Sequence, residues 1–166
     1  MVSITSKRVI IITGHYGSGK TNFAINLALD ISHNERVCLA DLDIVNPYFR
    51  SRQIEPEFEK KGIRVIASSV RGLAGDVPAL SPEIYTVLED KSYQTVIDVG
   101  GDKVGARALG RYHDKIEQDD YDMFFVLNAN RPLTSDKENA IRYLKSIEQA
   151  SRQKVTALVN NTHLCG

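Results

Sequence analysis

Gly14-His15-Tyr16-Gly17-Ser18-Gly19-Lys20-Thr21 sets glycines, an ammonium group and a hydroxyl at a spacing suited to holding phosphate. Every required position of the pattern G-x-x-x-x-G-K-S/T is filled. Glycine tolerates positive φ, so the loop amides can close around phosphate oxygens without side-chain obstruction. Lys20 then bridges the terminal phosphates of a nucleotide, and the Thr21 hydroxyl ligates Mg2+. Nucleotide contacts are expected from Gly14, His15, Tyr16, Gly17, Ser18, Gly19, Lys20, Thr21 and Asn22. At average composition such a pattern arises by chance in about one in a few hundred chains of this size.

Three carboxylates follow at the ends of apolar runs. Asp41-Leu42-Asp43 closes one, and strand alternation points its two acids to the same side. Beside a bound Mg·nucleotide, one acid can hold metal-bound water while the other orients the attacking water. Asp and Asn are also common in turns at strand ends. Asp98 closes Val96-Ile97 and is followed by Val99-Gly100-Gly101-Asp102. An acid at that place holds Mg2+ through water, and Gly101 can present its amide to a γ-phosphate. Asn128-Ala129-Asn130-Arg131-Pro132 and Asn160-Asn161-Thr162 close two further runs. A side-chain amide both donates and accepts, which suits an adenine edge, though asparagine also serves ordinary turns. Arg131 can stack on a base or pair with a helix end.

These groups need elements to carry them. Val9 to Thr13, Val37 to Leu42, Ile63 to Ala67, Thr95 to Val99, Met123 to Leu127 and Val155 to Val159 read as strands rich in β-branched residues. Asn22 to Ile31 reads as a helix, and Ser81-Pro82-Glu83 is a helix start. Ser135-Asp136-Lys137-Glu138 reads as a capping box, with Ala140, Ile141, Leu144 and Ile147 on one face of the helix behind it. Strands alternating with helices give an α/β, doubly wound, mainly parallel sheet whose ligands sit at the carboxyl ends of strands. All of the motifs above fall there.

Composition narrows the function classes. The chain has 166 residues, 42% hydrophobic and 25% charged, the profile of one globular domain over 1–166. Lys+Arg and Asp+Glu are both 21, so no basic face favours a nucleic-acid partner. No apolar run approaches the roughly 20 residues of a membrane span, and no signal-peptide core precedes the first strand. The expectation is a cytoplasmic protein. Cys38 and Cys165 are far apart and form no zinc pattern, with Cys38 read as a core residue. His33, His113 and His163 are expected on surface turns.

Together GHYGSGKT, DLDIVNP, VIDVGGD and LVNN, in this order over nearly the whole chain, resemble the MinD/ParA/CobQ-type P-loop nucleotide-binding family. The resemblance implies a P-loop NTPase sheet in which the Asp98 strand lies between the phosphate-loop strand and the Asp41 strand. It assigns Lys20 and Thr21 to phosphate and Mg2+, Asp41 and Asp98 to metal-bound water, Asp43 to the hydrolytic water and Asn160 to adenine. It implies a slow ATPase using ATP/ADP and Mg2+, with Lys20 and Asp43 as its catalytic residues. Switch loops near Asp43 to Arg52 and Gly100 to Arg107 would report to a protein partner, in metallocofactor maturation. The alternatives are an ATP-dependent amidase or ligase of the cobyrinic acid a,c-diamide synthase type, or a non-hydrolysing nucleotide-binding module. Dimerising members carry a lysine where this chain has His15, with a glycine where it has Tyr16, so a monomer is expected. Family domains continue past the sixth strand whereas this chain ends at Gly166, so a domain truncated there is expected. Unlike in the division-site members, no membrane-targeting helix is expected.

Overall fold

Two apolar clusters on opposite faces of one parallel sheet organise the chain, and they alternate residue by residue along the strands. The computed structural model describes residues 4–43, 55–67 and 81–162. In order these are β1 (Val9–Thr13), α1 (Lys20–Ile31), β2 (Val37–Leu42), α2 (Glu55–Lys60), β3 (Ile63–Ala67), α3 (Pro82–Glu89) and β4 (Gln94–Val99). Then follow α4 (Lys103–Gly110), α5 (His113–Ile116), β5 (Tyr121–Leu127), a short 3-10 turn (Pro132–Thr134), α6 (Lys137–Ser151) and β6 (Ala157–Asn160). The sheet order is β3-β2-β4-β1-β5-β6, with every pairing parallel.

Ile10 and Ile12 of β1 join Leu39, Val96 and Val126 under Ala24, Leu27 and Ala28 of α1. Val9 and Ile11 turn to the other face with Ile97 and Val99 of β4, where they meet Leu88, Leu109, Tyr112 and Ile147 from the layer of α3 to α6. β1, β2 and β4 are buried along almost their whole length, which is why they read as continuous apolar runs without alternation. The expected doubly wound sheet is present, with the Asp98 strand β4 between β1 and β2.

Ser81 caps α3 as its sequence suggests, accepting from the Glu83 amide. At α6 the cap is Asp136 rather than Ser135, its carboxylate accepting from the Asn139 amide at 2.8 Å. Along α6 Ile141 is 42% exposed, against expectation, while Ile147 is fully buried and Tyr143 packs on the core. Below the sheet, Arg8 gathers the carbonyls of Val87, Leu88, Asp90 and Tyr93 and pairs with Asp119, tying the end of α3 to the start of β1. Close packing also seats α4. A Cβ on Gly105 would stand 2.7 Å from the Cα and carbonyl oxygen of Gly100, so only hydrogen at 105 lets the helix follow β4 so tightly.

Cys38 is fully buried in β2, and desolvation pushes its thiol up to about 12, an inert core residue. His33 sits in the turn after α1, but His113 opens α5 and bonds Gln153. His163, Cys165 and the Ile44–Arg52 part of the expected first switch loop lie outside the described residues.

Candidate functional site

Between β1 and α1 the loop makes its turns with Gly14, Gly17 and Gly19 at φ of 150°, 74° and 85°. Gly19 is the N-cap of α1 in the left-handed region, and no side chain caps the helix. The first amides of α1 therefore face the loop cavity without an internal acceptor, as an anion site requires. A Cβ on Gly14 would run into the Val126 carbonyl, and one on Gly101 into the Gly14 carbonyl. The loop is thus wedged between β5 and the turn after β4.

Three acids converge on it. Lys20 Nζ donates to Asp43 Oδ2 at 3.0 Å, with both residues buried. Asp41 Oδ1 accepts from the Asp43 amide at 2.8 Å, turning β2 so that the Asp43 carboxylate swings back to the lysine. Asp41 and Asp98 are register partners on β2 and β4. Thr21 Oγ1 donates to Asp98 Oδ2 at 2.6 Å. A cavity of about 410 Å3 opens above this group, lined by Tyr16, Gly17, Gly19, Lys20, Thr21, Asn22 and Asp43.

Burial dominates the electrostatics of Asp98. Desolvation raises its carboxyl to about 6, against the opposing field of Lys20 and the Thr21 hydrogen bond, and with a further push from Asp43. Its Oδ1 is buried with no hydrogen-bond partner among the described residues. That unmet acceptor, beside the Thr21 hydroxyl, fits water on a divalent cation. No cluster of three His, Cys, Asp or Glu residues able to hold a metal occurs among the described residues. A cation here would draw most of its ligands from phosphate and water, as Mg2+ commonly does.

The raised carboxyl makes a stability prediction. Its folded value lies above the unfolded one, so its contribution is complete below about pH 4 and lost as pH rises through about 6. Asp98→Asn keeps an acceptor for Thr21 and removes the buried charge. It is expected to stabilise the apo protein by about 2 kcal/mol near pH 7.5, fading to nothing near pH 4. Urea titrations of both proteins at the two pH values check this; a gain independent of pH contradicts it.

Arg131 and Asn161 brace the loop from the ends of β5 and β6. Arg131 Nε donates to the Gly17 carbonyl at 3.1 Å, so the guanidinium lies against the loop itself. Asn161 Nδ2 donates to the Ser18 carbonyl at 2.8 Å, and its own amide bonds Leu127. Sequence reasoning chose Asn160, which is exposed at the end of β6 with Oδ1 accepting from Thr162.

His15 folds back rather than reaching outward. Its Nδ1 lies 2.9 Å from the Tyr16 carbonyl, and its ring meets Tyr143 edge-on at 5.3 Å. Tyr143, which sequence reasoning missed, donates its hydroxyl to the Gly101 carbonyl. Burial and the nearby Asp102 raise this phenol to about 12, so it remains a donor. Tyr16 points to solvent at 66% exposure.

No protein-family model and no curated protein sequence matches the chain. Solved structures do. The VpsO kinase domain superposes with a TM-score of 0.61 at 16% identity, over 93% of this chain and 84% of that one. The kinase domain of the Escherichia coli tyrosine kinase ETK gives 0.62 at 18%, over 95% and 69%. The signal recognition particle receptor FtsY from Elizabethkingia anophelis, in complex with GDP, gives 0.57 at 21% identity, over 96% of this chain and 50% of that one. At such identities the likeness is one of fold. The chain has the P-loop NTPase fold, and these comparisons do not single out the MinD/ParA/CobQ branch. No described helix is long and apolar enough to cross a membrane.

Proposed function

We propose that the chain is a Mg2+-dependent ATP-binding protein, working as a slow ATPase switch of the MinD/ParA/Mrp type in the cytoplasm. The observation that carries this reading is the convergence of Lys20, Thr21, Asp43 and Asp98 on the uncapped start of α1. The three superposed proteins support it by fold, and the one in complex with GDP by example. In the proposed mechanism the phosphates occupy the loop amides and Lys20 leaves Asp43 for them. Thr21, with water held by Asp98 and Asp41, would hold Mg2+, which would supply positive charge against the developing phosphate charge. The released Asp43 carboxylate orients the attacking water. Gly101, tethered by Tyr143, offers its amide to the γ-phosphate and passes its presence to α4. A protein partner reads that change; metallocofactor maturation is the setting that the family resemblance suggests.

Phosphate release from Mg·ATP with no added carboxylate or amine tests the hydrolytic half directly. Turnover that demands such an acceptor would move the protein to the ligase class. With His15 turned inward, the protein is proposed to be a monomer, with at most weak ATP-dependent dimerisation.

Base selection separates the two asparagines. Asn160→Ala is expected to erode the preference for ATP over GTP while leaving GTP affinity unchanged. Asn161→Ala removes a loop brace, so it should weaken both nucleotides alike, by about five- to tenfold for one lost hydrogen bond. Competition binding with the two nucleotides checks this. A selective loss of ATP in Asn161→Ala would transfer the adenine role to that residue.

A further inference from the structure

A second pocket, of about 550 Å3, opens between α4 and α6 on the other side of the loop residues His15 and Tyr16. Tyr16 lines both this pocket and the phosphate cavity. The volume lies within the range of small-molecule sites, and the walls have the mixture such sites use, apolar surface with a few polar groups. Tyr143 and His15 meet at 69° and form an aromatic corner. Leu133 and Tyr16, exposed at 50% and 66%, stand at its rim. Flat rings stack against such a corner better than branched aliphatic groups do.

The polar groups divide into spent and unspent. The Tyr143 hydroxyl is given to Gly101, and the Ser146 hydroxyl to the Tyr143 carbonyl at 2.7 Å. Asp102 caps α4, accepting from the Gly105 amide at 2.8 Å. Lys103 and Arg142, one from each helix, remain; neither forms a salt bridge among the described residues. Arg142 makes one long contact, 3.4 Å, to the Asn139 side chain, and its field also reaches Asp136, the α6 cap outside the pocket lining. Two cations from opposite walls face one committed carboxylate, so the pocket favours an anion. A guanidinium beside an apolar floor matches a planar carboxylate in two parallel hydrogen bonds.

We propose that this pocket is a second ligand site, taking a small molecule with a flat apolar body and a carboxylate gripped by Arg142 and Lys103. Its floor is made of His15, Tyr143 and Gly101, so a ligand there touches the two segments that flank the phosphate cavity. Binding itself needs no nucleotide, and apo protein is used for the test; failure of ATP binding and failure of this site are therefore separate results.

The probe is 1-naphthoate, with 1-naphthalenemethanol as its uncharged counterpart, followed by amide shifts of isotope-labelled protein. Gly101, Lys103 and Tyr143 are expected to shift saturably with naphthoate, and the alcohol to bind at least about fivefold more weakly for want of the charged contact. Amides around Arg8 and Lys91, beside a recess at the opposite end of the sheet that also carries cations, should stay still. Arg142→Ala, an exposed change, should weaken naphthoate about tenfold and leave the alcohol unchanged. Leu133→Ala should weaken both. The proposal is overturned by equal affinity for acid and alcohol, by unaltered naphthoate binding in Arg142→Ala, or by absence of a saturable shift. Shifts that follow protein concentration instead of probe would overturn it too, placing a second copy of the chain in the pocket.

Discussion

Without nucleotide, the Asp43→Ala protein is expected to melt well below the wild type, and with Mg·ATP to recover most of the difference. Lys20 and Asp43 are both buried and 3.0 Å apart. Removing the carboxylate takes away the ammonium's hydrogen-bonded counter-charge, while the field of Asp98 remains. Orphaning one member of a buried pair costs about 3 kcal/mol at the low end of the usual range. For a chain of this size that is roughly 6–12 °C in melting temperature. The triphosphate then supplies what the carboxylate did. In the wild type, binding must first break the Lys20–Asp43 bond and place phosphate beside a buried carboxylate; in the variant it does neither. ATP affinity is therefore expected to be equal or a few-fold tighter, and the ATP-induced rise in melting temperature larger than in wild type. Turnover is expected to vanish, because the carboxylate proposed to orient the attacking water is gone. Thermal scans with and without Mg·ATP, together with phosphate release, check all three. A variant with wild-type stability and turnover would remove Asp43 from both roles.

Lys20→Met is the mirror case, with the opposite outcome for ligand rescue. The methionine keeps the apolar stem that packs beneath the loop, but Asp43 loses its ammonium. The apo protein should again be destabilised, since the buried Asp43 carboxylate loses its counter-charge. Here ATP cannot restore the balance. A charge-assisted contact to phosphate is lost, and Asp43 is left as a negative group facing the triphosphate. Affinity should fall at least about 100-fold, or roughly 3 kcal/mol. Titration calorimetry on folded variant measures it. Retained affinity would mean that the lysine stays with Asp43 throughout and that the loop amides alone hold the phosphates.

The two variants separate what the sequence could and could not say. The glycine turn between strand and helix and the meeting of Asp41 and Asp98 at one edge of the sheet were legible from local rules, and the place of β4 between β1 and β2 from the family resemblance. Buried parallel strands are unbroken apolar runs, glycines mark the turn, and acids at strand ends must meet at one edge of the sheet. The limits of β1, β2 and β3 matched the apolar runs residue for residue. Local rules did not reveal that Lys20 reaches Asp43 in the absence of ligand, since the two are 23 positions apart and meet only through the packing of α1 on β2. Arg131 and Asn161 were visible as residues but not as braces of the loop, because their partners are carbonyls, which carry no signature in sequence. Tyr143 was hidden in a helix whose apolar face had been drawn through Ile141. Moving the cap from Ser135 to Asp136 marks the one-residue error that helix-start patterns allow when two capping residues adjoin. The pocket between α4 and α6 could not be foreseen at all, because its walls come together only in the packed fold.

Central to the account is that this loop closes on nucleotide. A calorimetric titration of the wild-type protein with ATP, with and without Mg2+, tests that claim most directly. Saturable binding of one ATP per chain, tightened by Mg2+, is the predicted result. Heat indistinguishable from dilution, from protein shown by its melting transition to be folded, would contradict it.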